Sequence, residues 1–154
     1  MVIHGTDSPF SSHTKLAELF PPLHGYHIPL IWMVSDFEGC PTPKIFQSDS
    51  PFLINGQELD LVMQSVPDMQ SIWGVFSGFR LPASEIDTSI VPVAENPTLW
   101  EPSYQIQHPQ AECEVVAWDS SATFFRSKNG KAMWKFSRAF PSAKNLEDFN
   151  TGKS

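Results

Sequence analysis

Residues 114–130 read EVVAWDSSATFFRSKNG. Two runs rich in β-branched and aromatic side chains, 114–118 and 122–126, are separated only by Asp119, Ser120 and Ser121. So short a connection joins antiparallel strands, because parallel neighbours need a crossover of roughly a dozen residues or more. The pattern then changes period. In GKAMWKFSRAF the residues Ala132, Met133, Phe136, Ala139 and Phe140 fall on one arc of a helical wheel, which predicts a helix over 130–140 ended by Pro141. Ser127 or Asn129 is placed to start it. A hairpin followed at once by an amphipathic helix commits the last third of the chain to a helix packed on an antiparallel sheet.

Residues 14–20 predict a short helix, with Ser12 or Thr14 as its cap, Leu16, Leu19 and Phe20 inward, and Pro21 and Pro22 stopping it. Residues 28–34 are apolar on both faces, which predicts a strand inside the sheet with Pro29 confined to its start. FEGCPTPK is expected as a loop, and Ile45, Phe46 and Gln47 as extended chain. Leu59, Val62, Met63 and Val66 recur at helical spacing, predicting a helix over 57–66 capped near Asn55. Residues 72–79 predict a strand in which Gly74 and Gly78 share one face, where the 58–66 helix is expected to approach closely. A last helical turn is expected at 145–149.

Residues 81–112 differ in kind. They hold five prolines and five acidic side chains, with no lysine or arginine. Proline removes donors and fixes φ, so this stretch predicts an irregular segment, docked through Trp100, Tyr104 and Ile106 with a strand near 103–107. The whole reading is one α+β domain over 1–154. It has a mainly antiparallel, twisted sheet, helices chiefly on one face, and flexible ends at 1–11 and 151–154.

The net charge of −7 is unevenly distributed. Residues 1–122 carry fifteen acidic and three basic side chains; residues 123–154 carry two and seven. Overall acidity weighs against general nucleic-acid binding, since phosphate attraction needs an excess of Lys and Arg. No apolar run is long enough to cross a membrane, and the N-terminal stretch lacks the basic start and apolar core of a signal peptide. With Cys40 and Cys113 the only cysteines, the expectation is a cytoplasmic setting with both as free thiols.

The candidate chemistry is sparse. Ser120 and Ser121 lack the G-x-S-x-G context of a nucleophile, and Asp-Ser-Ser is favoured in turns, where the Asp119 carboxylate is expected to bond the backbone. His24 and His27 have H-x-x-H spacing, yet no H-E-x-x-H or Cys-x-x-Cys accompanies them, so no metal or cofactor is assigned. Asp36, Glu38, Cys40 and His27 form the alternative reading, a small hydrolase-like enzyme with Asp36 and Glu38 as general acid and base. Against it, the carboxylates near Cys40 would suppress its thiolate. Lys131, Trp134 and Arg138 lie opposite the core arc of their helix, the composition of an interface hot spot, and are assigned to self-association as a homodimer. The alternative for Trp134 is burial beneath the C-terminal 146–149 segment.

The tail WDSSATFFRSKNGKAMWKFSRAFPSAKNLEDFN, residues 118–150, resembles the C-terminal pattern of small bacterial proteins, some of them immunity partners encoded beside polymorphic or contact-dependent toxins. In that pattern a WDSS turn is followed by a strand, a helix ending in FP, and an acidic close ending in Asn. Asn145 stands here where the pattern has Asp. The resemblance implies a non-enzymatic binder that neutralises a toxin domain, such as a basic nuclease. It supplies no catalytic residue. Opposite charge must meet opposite charge, so the partner-binding surface is expected at Asp36, Glu38, Glu85, Asp87, Glu95 and Glu101, with Trp100 as aromatic anchor. A generic protein-interaction module is the further alternative.

Overall fold

The computed structural model describes residues 1–4, 14–23 and 25–152, without the side chain of His4. Six strands form one antiparallel sheet: β1 Val2–His4, β2 Ile31–Cys40, β3 Phe52–Asn55, β4 Gln70–Phe79, β5 Cys113–Trp118 and β6 Ala122–Ser127, in the order β1-β6-β5-β4-β2-β3. The helices are α1 Leu16–Leu19, α2 Gly56–Ser65, α3 Gly130–Ala139 and α4 Leu146–Asn150. The expected α+β class and antiparallel pairing are what the structure shows.

The period-2 alternation of the strands divides two cores. Trp32, Val34, Phe76, Val115 and Phe125 point to one face, where they meet Leu16, Leu19, Leu59, Met63, Ala132 and Phe136 of α1, α2 and α3. Val75, Val116 and Phe124 point to the other face, beneath Ala94, Leu99, Tyr104 and Leu146. Met33 and Phe79 lie on that second face too, under Ile86 and Ala111. The proline-rich 81–112 segment therefore spans the sheet as a strap opposite the helices, and α4 joins it there. Since α4 packs on the strap side, Trp134 is not buried under it.

The helix starts follow ordinary capping. Asn55 Oδ1 accepts from Glu58 N (2.8 Å) at α2, Asn129 Oδ1 from Lys131 N (2.9 Å) at α3, and Asn145 Oδ1 from Asp148 N (2.7 Å) at α4. At α1 the cap position is Lys15, with no side-chain bond, while the Thr14 hydroxyl donates to Ser71 O. Ser12 lies outside the described residues.

Several local expectations are corrected. β2 begins at Ile31, later than expected, and runs through FEGC, which was expected as loop; Glu38, Gly39 and Cys40 pair with Trp73, Ser71 and Gln70. Ile45, Phe46 and Gln47 belong to a 3₁₀ turn, Lys44–Gln47, because Phe46 must swing inward onto Phe76. No strand forms at 103–107, where side-chain amides do the pairing. Val2–His4, expected as flexible, is paired with β6, with Ile3 in the helix-side core. The remaining residues of that stretch, 5–11, are outside the described residues, as are 153–154.

The glycines of β4 are occupied by other neighbours than α2. A Cβ on Gly74 would lie 3.1 Å from the Phe37 ring, and one on Gly78 2.8 Å from Cys113 Sγ and 2.9 Å from Leu30 Cδ1. The hairpin loop also differs from its expected chemistry. Asp119 (φ 44°) and Ser120 (φ 53°) both take left-handed backbone, Ser121 N donates to Trp118 O (2.9 Å), and Ser120 N donates to Ile72 O (3.0 Å). The main chain closes this turn, with Ser121 Oγ also donating to Trp118 O (3.3 Å); among the described residues no hydrogen bond involves the Asp119 carboxylate.

Candidate functional site: an acidic, apolar-edged surface beside the β2 bulge

The site starts with an irregularity in β2. Ser35 pairs with Val75 and Glu38 with Trp73, so Asp36 and Phe37 together stand opposite the single residue Gly74. One extra residue in a strand bends it and re-aims side chains. Phe37 drops into the helix-side core, over the space that Gly74 leaves open. Asp36, at φ 51°, turns to the strap side, where its Oδ2 accepts from Ala94 N at 2.7 Å. Ser35 Oγ donates to Pro92 O at 2.8 Å, and Ser50 Oγ accepts from Asp36 N at 3.1 Å. The bulge is thus one point at which the strap is tied to the sheet.

The strap is held by glutamines acting as substitute peptide groups. Gln107 Oε1 accepts from Val93 N (3.0 Å) while its Nε2 donates to Val93 O (3.1 Å), the exchange a neighbouring strand would make. Gln110 does the same between Asp87 N (2.9 Å) and Glu85 O (3.0 Å). Gln110 N donates to His108 Nδ1 (3.2 Å), so Nε2 carries the proton and donates to Asp87 O (2.9 Å). These bonds satisfy backbone groups that a proline-broken segment cannot pair with itself.

With the strap docked, Asp36, Glu38 and Glu95 line one surface depression of about 570 Å³, together with Trp73, Val91 and Val93. Val91 also borders a neighbouring depression of about 430 Å³ lined by Ile90, Glu101 and Gln105. Val91 and Val93 are 43% and 46% exposed, beside the carboxylates. The structure therefore brings together four of the acidic residues expected to bind a partner. Glu85 and Asp87 are exposed but line neither depression. The Asp87 carboxylate is held below its ordinary range by Ser89, whose hydroxyl (2.6 Å) and backbone N–H (3.0 Å) both donate to it.

Trp100 docks the 81–112 segment, as expected of it. It is half-buried on the strap side, with its ring centroid 4.8 Å from Phe124 and 5.7 Å from both Trp118 and Phe149. It anchors the strap and α4 to the sheet, which leaves only part of its ring for a partner. Lys131, Trp134 and Arg138 are exposed on α3 as expected; Trp134 is 63% exposed, and the Arg138 guanidinium lies 5.8 Å from its ring centroid.

The hydrolase constellation is not assembled. His27 is buried before the start of β2, where its Nε2 lies 3.1 Å from Asp60 Oδ1 and its carbonyl accepts from Trp32 Nε1. Cys40 is exposed at the far end of the same strand, about 30 Å away at the usual rise per residue. Cys113 pairs with Gly78 and Cys40 with Gln70, eight positions apart along β4, roughly 26 Å and far beyond disulfide reach. Both thiols are free, and burial, the largest cause, pushes Cys113 up to about 12. His24 lies outside the described residues. Among the described residues no group of three or more His, Cys, Asp or Glu is placed to hold a metal ion.

One buried acid escaped the sequence reading. Glu114, the second residue of β5, faces the strap side and is 1% exposed. Its carboxylate accepts from the Tyr104 hydroxyl and from Gln107 N (3.1 Å). Burial pushes the carboxyl up to about 7; the bonds from Tyr104 and Gln107 and the charge of Arg126 work against that rise. The available signal was a carboxylate at the head of an apolar run, opposite Arg126 in the partner strand. Comparison with family models, curated proteins and solved structures finds no match to this chain.

Proposed function

We propose that this chain is a non-enzymatic binding protein whose acidic surface beside the β2 bulge takes a basic protein partner. Its class is the immunity-type inhibitor that occludes a toxin domain in the cytoplasm, as the resemblance of residues 118–150 implies. One observation carries the binding reading: Asp36, Glu38 and Glu95 line a depression whose edge is the exposed pair Val91 and Val93. Carboxylates steer a basic partner, and an apolar edge gives it area to bury on arrival. Among the described residues no helix is long and apolar enough to cross a membrane, which is compatible with that setting.

The test is functional. The reading frame immediately upstream is cloned, and its C-terminal domain is expressed with and without this chain. Growth should be restored by the wild-type chain and lost with Glu38→Lys plus Glu95→Lys, which leaves the Asp36 tie to Ala94 intact. The double reversal should slow association about tenfold or more at low salt, with the difference shrinking as salt rises. Absence of rescue by the wild-type chain would sink the immunity class. Rescue lost only with Lys131→Glu plus Arg138→Glu would move the interface to α3.

A further inference from the structure

A second concavity lies across the sheet from the acidic surface, at the β6 end. It is an open concavity of about 710 Å³, within the range of small-molecule sites. Three layers meet around it: Ile106 from the strap, Met133 from α3 and Leu146 from α4, with Arg126 and Lys128 at the end of β6 and Glu147 on the rim. Apolar and polar side chains thus share the lining about equally, with the charged groups gathered at Arg126, Lys128 and Glu147.

Arg126 is the unusual member. It is half-buried, and its guanidinium carbon lies 4.8 Å from the centre of the Tyr104 ring. The ion pairs among the described residues join Lys15 to Glu18 and Asp68, His27 to Asp60, and Arg80 to Glu112; Arg126 is in none of them. The nearby Glu114 carboxylate is already taken by Tyr104 and Gln107. A planar fork of donors lying over an aromatic ring and partly withdrawn from water suits a bidentate carboxylate site. Lys128 Nζ donates to Pro109 O at 2.8 Å, which ties the strap to this rim and keeps a second cation beside the opening.

Charge narrows the ligand class. Arg126 and Lys128 face one carboxylate, Glu147, and the Met1 amine, which donates to Phe125 O at 2.8 Å, is lowered to about 5 by burial and then by Arg126. With the Glu114 carboxyl, which faces Arg126 across the strands and is raised to about 7, the excess is at most a single positive charge, suited to a monoanion rather than to a phosphate dianion. The apolar part of the lining suits a hydrocarbon or aromatic body. We infer that this cavity binds a small apolar monocarboxylate, its carboxylate on the Arg126 fork and its body against Ile106, Met133 and Leu146. This inference stands independently of the toxin-binding reading.

Phenylacetate and hexanoate are the probes, titrated into the intact chain by calorimetry, with benzyl alcohol and inorganic phosphate as contrasts. In parallel, methyl signals of ¹³C-labelled methionine are followed. Saturable one-to-one binding of both carboxylates is expected, about tenfold or more tighter than benzyl alcohol or phosphate. Met133 and Met1 should shift with phenylacetate, while Met33, Met63 and Met69 stay in place. Arg126→Gln should weaken the carboxylates about tenfold. If that variant fails to fold, Arg126→Lys keeps the charge over Tyr104 and should still lose several-fold, because the fork is gone. Lys131→Glu, on the exposed face of α3, should change nothing. No saturable binding, phosphate binding as tightly as phenylacetate, shifts confined to the other methionines, or undiminished binding by the Arg126 variants would each overturn the assignment.

Discussion

Glu114→Gln should flatten the dependence of stability on pH. The Glu114 carboxyl moves from an ordinary 4.5 to about 7 on folding, chiefly because the docked strap removes it from water. A carboxyl raised in the folded state binds its proton more tightly there than in the unfolded chain. Its contribution is therefore fully present below pH 4.5 and is lost as pH rises through 7. The shift corresponds to about 3 kcal/mol between those limits. A glutamine at this position is nearly isosteric. Its carbonyl can accept from Gln107 N, and its amide can donate to the Tyr104 oxygen, so neither partner is left unsatisfied. The assay is urea unfolding of both proteins at pH 5 and pH 8. Subtracting the two pH differences cancels the exposed carboxylates that both proteins share. The wild-type midpoint should fall by roughly 1–2 M more than the variant's across that interval, for a urea slope of about 2 kcal/mol per M. Equal pH differences in the two proteins would refute the reasoning. It would mean that Tyr104, Gln107 and Arg126 hold Glu114 ionised at no cost in stability.

Trp100 and Trp134 should separate cleanly. Trp100→Ala should cost about 3 kcal/mol, the scale of an aromatic removed from a packed cluster, whereas Trp134→Ala should stay within about 0.5 kcal/mol; chemical denaturation measures both, and equal costs would contradict their placement. Iodoacetamide should label Cys40 in the native protein and Cys113 only after denaturation, as mass spectrometry of the peptides would show. Gly78→Ala should destabilise by about 1–3 kcal/mol, since the new methyl would press on Cys113 and Leu30 within the sheet; an unchanged unfolding midpoint would mean those neighbours yield freely.

The local elements were legible in the sequence because their causes are local. The β5–β6 hairpin follows from two strand-forming runs about a three-residue loop, and α3 follows from the arc of Ala132, Phe136 and Phe140 with Asn129 as its cap. Lys131, Trp134 and Arg138 were found for the same reason: a helix's outer face is set by its own period. The strand-side calculation fails wherever alternation is broken. The bulge at Asp36 and Phe37 reverses the parity of β2, and nothing within FEGC announces it, since its cause is Phe37 fitting over Gly74 of another strand. Trp100 and Glu114 show the same limit. Whether an aromatic is an anchor or a core residue, and whether a carboxylate is solvated or buried, depends on what covers the strap side of the sheet. The 81–112 segment covers it through Gln107, Gln110, His108 and Tyr104, whose partners lie on β5 and elsewhere along the strap. Proline and charge content determined that this segment would be irregular. Its Trp100, Tyr104 and Ile106 indicated that it would dock; only the tertiary structure decided how, because that docking is a sum of side-chain bonds to distant backbone groups, and such bonds leave no period in the sequence.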